Sequence, residues 1–297
     1  MKYRVGTRES KLAVTQAQLV CKKIIESNPN LSLDNFELVK IKTIGDKILH
    51  KNLSDIGGKN LFVRELEQAL LEGKIDFAVH SLKDMTAKLD PELIIAACLE
   101  REDPRDAFIS PKCKNLKELP KGAIIGTSSI RRKYMALHFR PDLILLPFRG
   151  NVQTRLDKLN DKQVDGTFLA VAGLKRLGID ENIYNPIEMD DFLPAISQGV
   201  IGVQARINDS LIKNLLETIN HLDTYICNQA ERGFLESLDA DCNAPIAAYA
   251  KLENDSINLR SLVINSSGEF YRDYIVGAKH DAWEIGFESG RRLKEFL

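Results

Sequence analysis

Gly122-Ala-Ile-Ile-Gly-Thr-Ser-Ser-Ile-Arg-Arg132 is an apolar run that stops at Gly126, offers three hydroxyls and then turns basic. Ala123 to Ile125 suit a buried strand, and Ser128 or Ser129 can cap the helix that follows, so free N–H groups and the helix dipole face whatever binds there. Arg131 and Arg132 add two planar forks suited to carboxylate or phosphate. A solvated helix face is the other use of such a pair.

Working outward, the same strand-then-basic-turn pattern recurs. Tyr3 to Gly6 reads as a strand, and Thr7-Arg8-Glu9-Ser10 opens a helix with Leu12, Ala13, Ala17, Leu19 and Val20 along it. A strand at Phe36 to Ile41 leads to a polar loop through Gly57-Gly58-Lys59, and Asn60 can cap a helix from Leu61 to Leu71. Ile75 to Val79 is a strand ending in His80-Ser-Leu-Lys-Asp84; Leu93 to Leu99 is a fully apolar one. The charged, proline-containing run Glu100-Arg-Glu-Asp-Pro-Arg-Asp106 marks a domain crossing, after which the pattern restarts with Ala107 to Ile109. Leu143 to Leu146 leads into Arg149-Gly-Asn-Val-Gln-Thr-Arg155, where Asn151 caps a helix, and the strand Thr167 to Val171 runs into Lys175-Arg176.

Leu193-Pro-Ala-Ile-Ser-Gln-Gly199 reads as a second crossing, followed by a strand at Val200 to Val203. Two crossings that bracket a middle block predict one domain inserted into another. The expected limits are 1–99 with 200–217, then 100–199, then 218–297. Helical periodicity returns from Asp209 to about Leu238; Pro245 to Leu252, Ile257 to Ile264 and Phe270 to Val276 read as strands, and Asp281 with Glu284 forms a capping-box pattern for a last helix. The predicted fold is two α/β domains plus a small α+β C-terminal domain.

A net charge of −1 over 297 residues argues against a general nucleic-acid binder, so any positive field is local. No apolar run approaches the roughly 18 residues that span a bilayer, and the N-terminus has no apolar export segment. A cytoplasmic protein without membrane or nucleic-acid partners is expected. Five cysteines without a C-x-x-C pair fit that compartment, and no histidine or carboxylate spacing predicts a metal site. Cys21, Cys98 and Cys227 sit in apolar-periodic segments. Cys242 instead lies on the polar turn Asp239-Ala-Asp-Cys-Asn-Ala-Pro245, where a thiol can be a nucleophile or an attachment point.

Arg8, Lys83, Arg131 with Arg132, Arg149 with Arg155, and Arg176 all fall close to predicted strand ends. In open α/β sheets those ends form one rim. Two facing rims would line a cleft for a small, multiply anionic ligand; no phosphate-loop motif occurs at these turns. Asp84 is the lone acid at the His80–Asp84 turn. It suits an ion pair, a helix cap, or the stabilisation of a cation formed in a reaction. His80 could carry a proton or simply satisfy a strand end. A non-catalytic receptor for a polycarboxylate would keep the arginines but need neither Asp84 nor Cys242, and a phosphosugar enzyme would leave Cys242 unexplained.

His80–Asp84, Glu100–Phe108, Gly126–Arg132, Arg149–Arg155, Leu169–Arg176 and the Cys242 turn together resemble the hydroxymethylbilane synthase (porphobilinogen deaminase) family, in order along nearly the whole chain. The resemblance implies a monomeric three-domain enzyme of tetrapyrrole biosynthesis. Its first two domains would be shaped like periplasmic binding proteins around a cleft. It implies head-to-tail condensation of four porphobilinogen molecules with loss of ammonia, on a dipyrromethane cofactor held by a thioether to Cys242, followed by hydrolytic release of the linear tetrapyrrole. By the same resemblance Asp84 and Lys59, the latter on an active-site loop, are catalytic; Lys83, Asp84, Ser129, Arg131 and Arg132 bind the cofactor with Cys242, and Arg8, Ser10, Arg149, Arg155 and Arg176 bind substrate carboxylates. Ala240, Asp241, Ser197 and Asn60 stand where the family commonly has glycine, and Thr86 where it often has proline. Asp241 beside an acidic cofactor repels it, so slower loading or a compensating basic neighbour is expected, rather than loss of activity.

Overall fold

The computed structural model describes residues 2–43, 63–239 and 244–297. In chain order the elements are β1 (Tyr3–Arg8), α1 (Lys11–Ser27), β2 (Phe36–Ile41), α2 (Arg64–Leu71), β3 (Phe77–Ser81), β4 (Leu93–Cys98), β5 (Asp106–Ile109), β6 (Ile124–Gly126), α3 (Ile130–Phe139), β7 (Ile144–Leu146), α4 (Val152–Asn160), β8 (Gly166–Ala170), α5 (Val171–Arg176), β9 (Asn185–Pro186), β10 (Ile201–Arg206), α6 (Ser210–Glu217), α7 (Leu222–Ser237), β11 (Ile246–Glu253), β12 (Ser256–Ile264), β13 (Phe270–Ala278) and α8 (Ala282–Leu293).

Two five-stranded sheets share one plan. The first runs β2-β1-β3-β10-β4 and the second β7-β6-β8-β5-β9. In each, three strands are mutually parallel (β2, β1 and β3; β7, β6 and β8), and the strand beyond them enters antiparallel: β10 beside β3, β5 beside β8. The parallel strands bring their C-terminal ends to one edge. An antiparallel neighbour brings its start there, so Ile201 pairs with Ser81 and Asp106 with Ala170. The residues just before β10 and at the head of β5 therefore lie on the rims. A third sheet, β11-β12-β13, is an antiparallel meander covered by α7 and α8, giving the small α+β unit expected at the C-terminus.

The first sheet buries a core of its own, whereas the second shares one with Ala247, Leu262 and Ile264 of the third. Val5, Phe77, Val79, Ile201 and Val203 pack with Val20 and Ile24 of α1, while Phe108, Ile125 and Phe168 anchor the second sheet. The C-terminal helices approach unusually closely because Gly233, Gly286 and Gly290 lie at their contact. A Cβ on Gly286 would strike the Ala230 carbonyl.

Several details differ from the sequence expectations. His80 lies inside β3, and Lys83 and Asp84 form a single 3-10 turn, Leu82–Asp84, immediately after it. The helical stretch from Asp209 divides into α6 and α7, with His221 capping the second by accepting from the Thr224 N–H. Asp281 makes no side-chain cap; a 3-10 turn, Lys279–Asp281, already feeds α8 and replaces the expected box. The Asn60 cap lies outside the described residues.

The two crossings are locked to the C-terminal unit by Glu231 of α7. Its carboxylate is fully buried and takes Arg101 on both oxygens (2.6 and 2.8 Å), the Ser197 N–H (2.6 Å) and the Ala250 N–H (2.8 Å). Ser197 has φ 59°, the left-handed region that explains why glycine suits this place. What serine adds is a 2.6 Å hydrogen bond from its hydroxyl to Asn228 Oδ1, which offsets the strain of carrying a Cβ there.

Candidate active site

The site forms where the two rims meet. From the first sheet, the 3-10 turn after β3 presents Lys83 and Asp84, and β1 ends at Arg8, whose Nη1 lies 3.8 Å from Asp84 Oδ2. Ser10 caps α1 by accepting from the Ala13 N–H at 3.3 Å. From the second sheet, Ser129 caps α3 by accepting from the Arg132 N–H at 3.4 Å, and Asn151 caps α4 by accepting from the Thr154 N–H at 2.9 Å. The hydroxyl protons of Ser10 and Ser129 are not consumed by capping and remain able to donate.

Arg131 and Arg132 do not stand as open forks. They are 4% and 7% exposed and both clasp Asp106, which is fully buried. Arg132 gives Nη2 at 2.6 Å and Nε at 3.1 Å to Oδ1, and Arg131 Nη2 lies 2.8 Å from Oδ2. Further donations run from Arg131 Nη1 to the Leu193 carbonyl and from Arg132 Nη1 to the Phe168 carbonyl, both at 2.8 Å. Burial alone would raise the Asp106 carboxyl, but the two guanidiniums outweigh it and hold it well below the usual range.

Gln198, from the second crossing, joins the rims. Its Nε2 donates to Asp106 Oδ1 at 3.0 Å and to the Pro104 carbonyl at 2.7 Å, while its Oε1 accepts from Lys83 Nζ at 3.3 Å. Arg155 donates from Nε to the Gly150 carbonyl at 2.9 Å and feels Arg132, Arg149 and Asp84. Arg176 is set apart: its Nη2 donates to the Gly199 carbonyl at 2.6 Å, on the second crossing.

The site's electrostatics are those of crowded cations. Burial and neighbouring Arg132 push the Lys83 ammonium down to about 8, despite the opposing pull of Asp84 and Asp106. Burial, with Arg132 and Arg149, brings Arg155 to about 10. Six cations (Arg8, Lys83, Arg131, Arg132, Arg149, Arg155) share this region with two carboxylates, Asp84 and Asp106. Such a surplus favours a ligand carrying several negative charges. Two pyrrole rings that each bear an acetate and a propionate carry four carboxylates, so the residues present fit a dipyrromethane.

His80 is pushed to about 4 by burial, with Gln204 opposing and Arg8 assisting; it is a neutral imidazole at physiological pH. That removes an imidazolium from the chemistry here. Among the described residues the thiols of Cys21, Cys98 and Cys227 are buried and raised by that burial to about 11, 12 and 11, which leaves them inert. Lys59 and Cys242 lie outside the described residues, as do Ala240 and Asp241. No group of metal ligands and no helix long and apolar enough to cross a membrane occurs among the described residues.

Asp106, Gln198 and Glu231 were not singled out from the sequence. Asp106 closed the charged run that marked a crossing, Gln198 lay in the second crossing, and Glu231 lay in a helical stretch. The available signal was an acid directly abutting the apolar strand 107–109, a place where a carboxylate is buried only if it is paired.

Comparisons with known proteins bear on this cluster. Residues 3–214 match the family described as porphobilinogen deaminase, dipyromethane cofactor binding domain, and residues 225–295 match porphobilinogen deaminase, C-terminal domain. The porphobilinogen deaminase of Alkaliphilus metalliredigens is 42% identical over 98% of this chain and 92% of its own length. That of Syntrophomonas wolfei is 45% identical over 98% and 94%, and that of Rickettsia bellii 49% over 89% and 88%. Among solved structures, the methionine binding protein MetQ aligns with 75% of this chain and 92% of its own, at 14% identity and a TM-score of 0.47.

Proposed function

The chain belongs to the porphobilinogen deaminase family, and from that premise we propose that the cationic cluster around Asp84 is its catalytic site. The enzyme is a hydroxymethylbilane synthase: it joins four porphobilinogen molecules head to tail, releases ammonia at each step and frees the linear tetrapyrrole by hydrolysis. The dipyrromethane cofactor, when bound, supplies the covalently held pyrrole end on which the chain grows. The single observation that carries the site assignment is the surplus of cations converging from both rims on one partly exposed acid.

Each residue's part follows from its donors and charge. Lys83, Arg131 and Arg132, with Ser129, hold cofactor carboxylates. Arg8, Ser10, Arg149, Arg155 and Arg176 hold those of incoming substrate and growing product, a role that guanidinium forks perform bidentately. Asp84, alone among cations, stabilises positive charge that develops as ammonia departs, and accepts hydrogen bonds from the pyrrole N–H groups. Lys59 is a catalytic residue of the active-site loop by the same family resemblance. Cys242 carries the cofactor by the family resemblance; burial of Cys21, Cys98 and Cys227 removes three of the four other thiols, leaving half-buried Cys113. The same reading makes the protein a cytoplasmic monomer acting on porphobilinogen, without nucleic-acid or membrane partners. It divides the chain at 1–99 with 200–217, 100–199 and 218–297, in keeping with the membership of the three sheets.

A mass measurement on the purified, denatured chain tests the assignment. The expected result is a covalent excess equal to one dipyrromethane, absent in Cys242→Ser together with turnover. An unmodified mass from an active preparation would remove Cys242 as the attachment point.

Lys83 gives a pH signature. Held at about 8, its ammonium is charged below that pH and lost above it in the cofactor-free enzyme, so the rate at which apoenzyme incubated with porphobilinogen loads its cofactor should fall as pH rises through 8. Lys83→Arg should move that limb upward, because guanidinium stays protonated. A wild-type profile that stays flat to about pH 9.5 would contradict the depressed ammonium.

A further inference from the structure

The feature that the site roles above leave unused is the Asp106 carboxylate. It heads β5, touches no solvent and binds two adjacent arginines at once. Arg131 and Arg132 are neighbours on one helix, and with Lys83 they place three cations close together in a largely buried region. Unbridged, such groups repel and turn apart. Asp106 prevents this with both oxygens, and Gln198 ties its Oδ1 to Lys83 as well.

The clasp uses only part of each guanidinium. Arg132 spends Nε and one proton of Nη2 on Asp106 and one proton of Nη1 on Phe168, so further N–H groups remain on Nη1 and Nη2. Arg131 likewise meets Asp106 through Nη2 and turns Nη1 to Leu193 and to the Met135 sulfur. One edge of each fork is thus fixed by protein, and its plane is set before any ligand arrives.

Resting on the cofactor reading above, we propose that Asp106 is the positioning residue of the Arg131–Arg132 pair, setting both guanidinium planes so that their remaining N–H groups meet the carboxylates of the covalent cofactor. It touches neither cofactor nor substrate. Its topological origin is the antiparallel entry of β5, which carries the first residue of that strand to the ligand rim beside Ala170.

Asp106→Asn keeps the shape and removes the charge; Asp106→Ala leaves a space that formate can fill. Each apo variant, incubated with porphobilinogen, is expected to load cofactor about a hundredfold more slowly than apo wild type, measured as the covalent mass increment, a loss on the scale of a misplaced binding group. Formate, but not the equally sized neutral formamide, is expected to restore loading in Asp106→Ala. Labelling by phenylglyoxal, mapped by mass spectrometry, gives an arm that does not need cofactor: Arg131 and Arg132 should react faster relative to Arg140 in Asp106→Asn than in wild type. Loading of Asp106→Asn at the wild-type rate, equal rescue by formamide, or unchanged arginine labelling would each overturn the positioning role. Wild type run alongside separates the two ideas, because a missing increment there removes the cofactor reading while the labelling arm still decides whether Asp106 pins the pair.

Discussion

Asp84→Ala is expected to keep its covalent cofactor and lose about three orders of magnitude in kcat. The cofactor stays because the substitution removes a negative charge from a region already rich in cations, so carboxylate binding by Lys83, Arg131 and Arg132 is not weakened. Turnover falls because the other acid in the cluster, Asp106, is fully buried against both arginines and cannot replace Asp84 beside a reacting ring. At about 4 Å and an effective dielectric of 20, a carboxylate and a cation attract by roughly 4 kcal/mol, which is the stated factor in rate. Stability should hardly change. The Arg8–Asp84 pair spans 3.8 Å with Asp84's side chain 38% exposed, and such a pair is worth about 0–1 kcal/mol. Single-turnover kinetics on the loaded variant, with its mass and melting temperature, check all three parts. Turnover within tenfold of wild type would remove Asp84 from the chemistry.

Glu231→Ala should have the opposite profile, a loss of stability with the site residues intact. Removing that carboxylate leaves the Arg101 guanidinium buried without its counter-charge, a cost of about 3–5 kcal/mol, and orphans the Ser197 and Ala250 N–H groups. The Arg101 guanidinium keeps its Nε bond to the Gln198 carbonyl and its place over the Tyr249 ring, neither of which supplies a counter-charge. Against a total stability on the order of 5–15 kcal/mol, the melting temperature should drop by on the order of 10 °C. Because Ser197 and Gln198 belong to the second crossing and Arg101 to the first, loosening Glu231 also frees the joint between the sheets. Glu231→Gln retains acceptor shape without charge and should fall between the two. The paired change Arg101→Met with Glu231→Leu should recover part of the loss, since it buries no uncompensated charge. Thermal melts of the four proteins decide this; Glu231→Ala melting with wild type would remove Glu231 as the lock of the joint.

Arg131 and Arg132 illustrate how far local sequence reaches. The strand, the break at Gly126, a serine cap at 128 or 129 and the start of α3 were all legible, because each is set by propensity and hydrogen bonding within a few residues. What their side chains touch was not, because their partner Asp106 is a strand start that the chain reaches before either of them. Arg176 shows the same limit in another direction: it ends α5, a helix that the reading of a strand at 167–171 did not give, and its guanidinium is held at Gly199 on the second crossing.

The sequence alone determined the alternation of strands and helices, the third α+β unit, the run of cations near strand ends and, through motif resemblance, the family. These rest on periodicity, capping and spacing, which are properties of short stretches. Only the tertiary structure decided that β5 and β10 enter their sheets antiparallel, and this reverses the rule that strand ends supply the rim. It brings Asp106 and Gln198, which open or precede their strands, into the midst of residues that close theirs. The physical reason is that strand direction is fixed by pairing between segments far apart in the chain. No local pattern reports it, and the charge balance of the site depends on it.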